Sequence, residues 1–531
     1  MKLVKSEQIS RIDTYAREVL GIPTAVLMGR AGEGVADVVR SCVAPGGTVV
    51  ILAGRGNNGG DGYALAGVLA ASYAVTVYDV LGPAPRTDEA RQYRERCLVR
   101  GVCVLPFSLD ERVHEHILSA DCLVDAVFGT GRRGDVPPIV ETLASWIRES
   151  RAYKIAVDIP LGVDADDGTV SSYVYRADVT VVLSYYKVGM LSYPAREYLG
   201  RTVLSTLGLP RIPEADASPY ECVDDDLAAS ILPTRGLNTH KGSFGKLLTL
   251  VGSMRYRGAA HLALGAALRS GVGLVTFLGQ ERLVDSLLPT YPEALYRTDI
   301  CQETEDMLDR THGATLIGCG CGTDEGLCER VLRLLRMGTT PLVLDADAIN
   351  ALARRPKEGR EALRASSRPV VLTPHPLELA RLIEMGVDAI QDDRLSVAIR
   401  TARELGVVLV LKGAGTIITD GERVFINTTG SSALAKGGSG DVLAGLVGGL
   451  CASGVPALLA AALAAFVHGA AADRLSACYC ELGVIPSDLP LEMARVLGDL
   501  AKKKSRPWGS LAYQDRTTPD NGNAESTERS F

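Results

Sequence analysis

The chain has 531 residues, 47% hydrophobic and 22% charged, which is too long for one ordinary core and excludes a fibrous or wholly disordered protein. Its formal charge of −7 is spread along the chain, and no basic, aromatic-interleaved stretch appears, which excludes nucleic acid as the main partner. Twelve cysteines without a Cys-x-x-Cys pair, several of them in apolar runs (Cys42, Cys122, Cys451), point to reduced thiols in a cytoplasmic protein rather than a disulfide or zinc framework.

The opening MKLVKSEQIS is polar and lacks the apolar core of a secretion signal. A helix is predicted over Ser6–Leu20, then strands over Thr48–Ala53, Ala74–Val80, Cys122–Val127, Lys154–Asp158 and Val179–Ser184 with helical patterns between them. Prolines and acids without periodicity across Leu209–Asp224 place a linker at 213–224, between domains at 1–212 and 225–504. Strands follow over Leu247–Val251, Val275–Leu278, Thr315–Ile317, Leu342–Leu344, Val370–Leu372 and Val407–Leu411. A hairpin, Gly415–Thr419 with Val424–Asn427, turns at Asp420-Gly421. The alternation predicts parallel α/β architecture in both halves. Val442–Val467 carries no charge and is long enough to cross a bilayer, but Gly448, Gly449, Gly454 and Pro456 divide it. Two buried helices in a soluble protein, with no membrane span, are the expectation. The polar segment 505–531 is expected to be disordered.

In the first half, the strand Thr48–Ala53 runs into GRGNNGGDG, Gly54 to Gly62, with a helical pattern from Tyr63. A strand, a glycine-rich turn and a helix aim backbone N–H groups and a helix dipole at an anion. Asn-Gly is also an ordinary turn, so further signals matter. Asp125 leads into DAVFGTGRRGD, and Asp158 closes IAVDIP. Ligands of open parallel sheets bind beyond the carboxyl ends of the strands, where Asn58, Asp125 and Asp158 are all expected. Each aspartate alone could be a cap or turn former. Converging oxygens without histidine or thiolate suit a hard cation.

NNGGDG, DAVFGTG and DIP in this order, after IDTYAREVLGIPTAVLMGRAG, resemble the NAD(P)H-hydrate epimerase domain over roughly residues 1–210. The resemblance implies a Rossmann-like three-layer domain that binds potassium and interconverts the R and S forms of hydrated NADH and NADPH. It places substrate on Asn57, Asn58, Gly59, Gly60 and Asp61, on Gly129, Thr130, Gly131, Arg132, Arg133, Gly134 and Asp135, and on the catalytic Asp158. It assigns potassium to Asn58, Asp125 and the position of Leu161. Leu161 stands where the family carries a serine, so it would reach the ion only through its backbone, and Gly29 stands where the family carries an acid.

In the second half, Gly437-Gly438-Ser439-Gly440-Asp441 precedes an apolar helical run. Glycines before a helix N-terminus leave unpaired N–H groups as an anion hole, and Asp441 beside it suits a general base. An N-cap is the plainer role for such an aspartate. LTPHPLE brings His375 and Glu378, LDADAIN brings Asp345 and Asp347, and LKGAGT brings Lys412 and a glycine turn to further strand ends. GCGCG, Gly318 to Gly322, and HKGSFG, His240 to Gly245, add tight turns.

This set resembles the NAD(P)H-hydrate dehydratase domain, a ribokinase-like α/β fold, over roughly 225–500. The resemblance implies ADP, or ATP, with magnesium as co-substrate, held by Lys412, Gly413, Ala414, Gly415, Thr416 and Gly440. It implies substrate contacts from Ala259, Gly320, His375 and Asp441, with Asp441 catalytic. It further implies a homo-oligomer acting on small molecules. Cys319 and Cys321 stand where the family reads Gly-Pro-Gly-Leu-Gly, and Leu377 replaces a glycine after His-Pro. Two other readings stay open at this stage. The second half is a kinase of a small alcohol, or the first half is a degenerate binding module beside an active dehydratase.

Overall fold

The short apolar runs, β-branched and buried on both faces, become the parallel strands of two sheets in this computed structural model, which describes residues 1–130 and 137–504. The first-half strands are β1 (Thr48–Ala53), β2 (Ala74–Asp79), β3 (Cys103–Pro106), β4 (Cys122–Ala126), β5 (Tyr153–Val157), β6 (Val179–Leu183) and β7 (Arg201–Ser205). They pair in the order β3-β2-β1-β4-β5-β6-β7, all parallel. Separate clusters of buried side chains around Ile51 and Leu52 cover the two faces, giving the expected three layers. The order reverses between β1 and β4, and an open parallel sheet forms its ligand crevice at such a point. The edge strands β3 and β7 escaped prediction because most of their residues are not buried, which leaves no apolar run to read.

The second sheet holds β8 (Tyr220–Cys222), β9 (Lys246–Leu250), β10 (Leu274–Leu278), β11 (Leu295–Arg297), β12 (Ala314–Ile317), β13 (Leu342–Leu344), β14 (Val370–Leu372), β15 (Val408–Leu411), β16 (Ile417–Thr419) and β17 (Val424–Ile426). Their order is β8-β17-β16-β15-β14-β13-β12-β9-β10-β11, with β16 antiparallel to both neighbours across the predicted hairpin. The uncharged stretch forms two helices, Ser439–Ala452 and Ala457–Gly483, broken at the glycine-proline turn. The second is long and apolar enough to span a bilayer, yet 78% of its most apolar window is buried within the fold.

The expected linker at 213–224 is corrected by the structure. It contains a short helix, Pro213–Asp216, and β8, which pairs in parallel with β17. Three residues without visible periodicity can be a strand when a ready-made sheet edge supplies their partners. The N-terminus ties into the same place: Lys2 bridges Glu221, the terminal amine lies 2.7 Å from Asp224, and Leu3–Val4 pairs with Tyr186–Lys187. Val188 and Leu191 of the first half join a buried cluster with Leu409, Leu411 and Ile417 of the second. The two halves therefore share apolar surface.

Among the described residues all twelve cysteines are free; six are buried and Cys103, Cys301, Cys478 and Cys480 are exposed. The segment 131–136 and the tail 505–531 lie outside the described residues, and so do the substrate contacts assigned to Gly131, Arg132, Arg133, Gly134 and Asp135.

Candidate active sites

The crevice at the β1/β4 switch is a cleft of about 820 Å³, lined among others by Asn57, Asn58, Asp61, Gly129, Thr130 and Asp158. Six of the residues predicted to hold substrate thus converge from the ends of three strands. A larger cavity, about 960 Å³, lies elsewhere on this half and contains none of them. The helix begins at Asn57, six residues earlier than its pattern suggested, so most of the glycine-rich run is helix rather than loop. Gly59 and Gly60 are buried in its first turn and serve it sterically: a Cβ on Gly59 would lie 1.9 Å from the Gly54 carbonyl oxygen. Gly29 has a similar reason. Tyr93 Oη lies 2.6 Å from where its Cβ would stand, so the tyrosine hydroxyl occupies the space that a side chain at this position would need.

Four charged side chains gather at the cleft floor. Asp158 is held at φ 67°, an uncommon conformation for a non-glycine residue. Its carboxylate accepts the Leu183 N–H at 3.1 Å and is ion-paired with Lys187, which is almost wholly buried and also donates to the Leu183 carbonyl at 3.0 Å. Asp61 and Asp13 approach from two helices. Burial raises the pKa of Asp61 well above the usual range, with Asp158 and Asp13 adding to it. Burial, then Asp158, raises that of Asp13. Perturbed carboxyl groups converging in a cleft mark proton-transfer chemistry.

Asp125 stands behind this cleft, wholly buried. Its oxygens accept the N–H of Val127 at 3.1 Å and of Leu161 at 2.6 Å, and burial pushes its pKa up to about 7. Asn58 donates from Nδ2 to the Phe128 carbonyl at 2.9 Å, which leaves Oδ1 as its acceptor. Leu161 offers an ion only its backbone carbonyl oxygen. Its side chain is buried in the apolar layer, its N–H is spent on Asp125, and its carbonyl takes the Tyr175 N–H at 2.7 Å.

In the second half the ends of β12, β13, β14 and β15 and the helix Ser439–Ala452 meet around Asp345. This buried carboxylate accepts from Lys412 Nζ at 2.9 Å, Thr373 Oγ1 at 2.6 Å and Cys319 Sγ at 3.5 Å. Asp441 is in the first turn of its helix, but Gly438 occupies the cap position and the helix start has no side-chain cap. The N-cap reading of Asp441 therefore fails. Its oxygen, Cys319 Sγ and an Asp345 oxygen lie within 4.8 Å of one another. Burial, then Asp345, pushes the Asp441 carboxyl up to about 6. For Lys412, burial opposes the charge, but Asp345 and Glu378 outweigh it and raise the pKa.

Lys412 also reaches the anion hole, since its Nζ lies 3.2 Å from where a Cβ of Gly440 would stand. Beneath it, Arg394 donates to the carbonyls of Leu411 and Lys412 at 3.1 and 3.2 Å, and Thr416 Oγ1 closes the turn on the Gly413 carbonyl at 2.9 Å. Gly320 packs directly on Ala259, with no room for a side chain between them. His375 has a structural duty as well: its Nδ1 accepts the Glu378 N–H while Glu378 accepts the His375 N–H, a reciprocal helix cap. Burial, then Lys412, lowers the pKa of His375.

Two families match the chain in tandem. One, described as YjeF-related protein N-terminus, matches residues 24–189, and the other, described as NAD(P)H-hydrate dehydratase, matches residues 247–494. The bifunctional NAD(P)H-hydrate repair enzyme of Moorella thermoacetica is 33% identical over 524 residues, covering 95% of this chain and 98% of that relative. The chain belongs to the bifunctional NAD(P)H-hydrate repair enzyme family. The family member from Escherichia coli K12 is 32% identical over 511 residues, covering 95% of this chain and 96% of its own. Among solved structures, the ADP/ATP-dependent NAD(P)H-hydrate dehydratase of Bacillus subtilis, co-crystallised with ATP/Mg2+, is 32% identical with a TM-score of 0.47, covering 52% of this chain and 97% of that one.

The first half is thus the epimerase half of a repair enzyme and the second its dehydratase half. Sequence reasoning named Asp158, Asp345, Lys412 and Asp441 but missed Lys187 and Asp13, and did not show how these groups pair. Lys187 follows β6 in the run SYYKVG, and a lysine among aromatics just past a buried strand was the available signal. Asp13 lies in an amphipathic helix with no local cue. Asp345 was visible at a strand end, but its grouping with Cys319, Thr373 and Lys412 depends on four separate strand ends.

Proposed function

We infer that the epimerase half exchanges the R and S hydrates of NADH and NADPH on Asp158, and that the dehydratase half restores NAD(P)H from the S hydrate using ADP, or ATP, with magnesium. The observation that carries this reading is the pairing, in one chain, of a carboxylate cleft at a sheet switch point with a carboxylate beside a glycine anion hole. In the hydrate, one ring carbon carries both the hydroxyl and the ring nitrogen. Asp158 takes the hydroxyl proton, the carbon–nitrogen bond opens as the carbonyl forms, and the nitrogen takes a proton. Reclosure on the other face, with the protons returned, gives the other epimer. Lys187 holds Asp158 in its strained orientation, while Asn57, Asn58 and Thr130 line the walls.

In the dehydratase half, Asp441 takes the proton of the same hydroxyl as the hydroxyl oxygen attacks the terminal phosphoryl group of the nucleotide, whose phosphoanhydride bond breaks to release AMP from ADP, or ADP from ATP. The N–H groups of Gly437, Gly438 and Gly440, with Lys412, face the charge on the transferring phosphoryl, while that of Ser439 is donated to the Lys436 carbonyl. The ring-nitrogen lone pair then expels phosphate, and loss of a proton from the neighbouring carbon restores the ring double bond. Incubating the full chain with mixed hydrates and ADP should restore the reduced-nicotinamide absorbance completely. Recovery that stops at the S fraction would remove the epimerase, and none at all would favour a kinase of another alcohol.

Asp125 and Asn58 also fit a potassium ion. A wholly buried carboxylate whose pKa is pushed upward by burial is the kind of group a monovalent cation stabilises, and amide and carbonyl oxygens suit that ion. When bound, such an ion supplies fixed positive charge beneath the cleft. At about 100 mM, KCl should raise the thermal midpoint by about 2–4 °C over NaCl. The difference should vanish in Asp125→Asn, and equal midpoints in both salts for the unmodified chain would refute the assignment.

A further inference from the structure

We propose that the nucleobase end of the nucleotide site is built by the epimerase half, with Tyr193 as the platform on which a purine nucleoside diphosphate stacks. This rests on reading Lys412–Thr416 as the nucleotide loop. That loop has a direction. At one end Lys412 Nζ stands over Gly440 in the anion hole, which fixes the phosphate end. Three residues on, Gly415 has left the second sheet and meets the first half. The position of its absent Cβ is 3.2 Å from the Leu191 carbonyl oxygen and 3.8 Å from Tyr193 Cδ2. A diphosphate gripped at Gly440 and laid along this loop brings its base to Tyr193.

The segment bearing Tyr193 is clamped from both sides. Before it, Val188 and Leu191 are buried in the shared apolar cluster with Leu409 and Leu411. After it, Arg196 donates from Nη2 to the Thr428 carbonyl at 2.8 Å, across 232 residues of sequence, with its guanidinium 6.0 Å from the Tyr193 ring centroid. Yet Tyr193 is 38% exposed. A rigidly held, partly exposed aromatic beside a glycine turn is the feature that base stacking uses, and it tolerates little movement. The dehydratase half alone would have the phosphate grip without this wall.

The test uses the full chain, with ADP kinetics on the S hydrate and inorganic pyrophosphate as a competitor that has phosphates but no base. Tyr193→Ala should raise KM for ADP by about ten- to one-hundredfold with little change in kcat, leaving the inhibition constant of pyrophosphate unchanged. Tyr193→Phe should behave as the unmodified chain. Lys412→Ala should weaken both ADP and pyrophosphate. An unchanged ADP KM in Tyr193→Ala, with Lys412→Ala impaired, overturns the platform and leaves the loop standing. Parallel loss of ADP and pyrophosphate in Tyr193→Ala shows a merely structural role and overturns it too. An unaffected Lys412→Ala removes the nucleotide loop and the proposal together.

Discussion

Asp441→Asn is expected to slow dehydration of the S hydrate by about a thousandfold or more, while epimerisation of the R hydrate continues at its normal rate. The side chain caps nothing, so the change deletes a base without removing a support of the helix. It also keeps the volume of the group facing Cys319 and Asp345. The pH profile offers an independent check with a definite sign. Burial, then Asp345, raises the Asp441 carboxyl to about 6, and only its ionised form accepts a proton. The dehydration rate should therefore be level above that pH and fall about tenfold per unit below it. The asparagine variant should lose this limb. A profile unchanged in Asp441→Asn, or a loss of less than about tenfold, would assign the base elsewhere.

The second large effect belongs to the buried pair in the other half. Asp158→Asn should reduce epimerisation of pure R hydrate by about 10²–10⁴-fold, to the spontaneous rate, while S hydrate is consumed normally. Lys187→Met is expected to do something different. It leaves Asp158 beside Asp61 and Asp13 without its cation, in a place where Lys187 is only 1% exposed. Breaking one side of such a buried pair costs about 3–5 kcal/mol, so this variant should unfold earlier in urea as well as lose epimerase activity. Asp158→Asn with Lys187→Met should recover part of that stability without recovering activity. If Asp158→Asn epimerises at the normal rate, Asp158 is a structural partner of Lys187 and nothing more.

The two sites differ in how plainly they could be read. Glycine runs such as Gly437–Asp441 declare themselves because close backbone approach and positive φ are demands that few residues meet. Central strands declare themselves because burial on both faces requires an unbroken apolar run, and β1, β13 and β14 occupy the predicted positions. Edges did not: β3 and β7 carry mixed surfaces, and β8 is a strand only because β17 offers it partners. The glycine-rich run before Tyr63 was misread as a loop because glycine is a poor helix former, whereas here tight packing on Gly54 requires it within the helix. At Leu161, tertiary packing commits the N–H to Asp125 and one lone pair of the carbonyl to the Tyr175 N–H, which position in a motif does not show.

The sequence alone thus determined two α/β halves, the anion hole with its carboxylate, and the strand-end residues Asn58, Asp125 and Asp158. All of these follow from backbone conformation and apolar pattern within some ten residues. Only the tertiary structure decided which polar groups face one another: Lys187 with Asp158, Asp345 with Lys412 and Cys319, Arg196 with the Thr428 carbonyl. The physical reason is that such pairs are chosen by where separate strand ends and helices meet, across 26 to 232 residues of chain. No local preference encodes a partner at that distance.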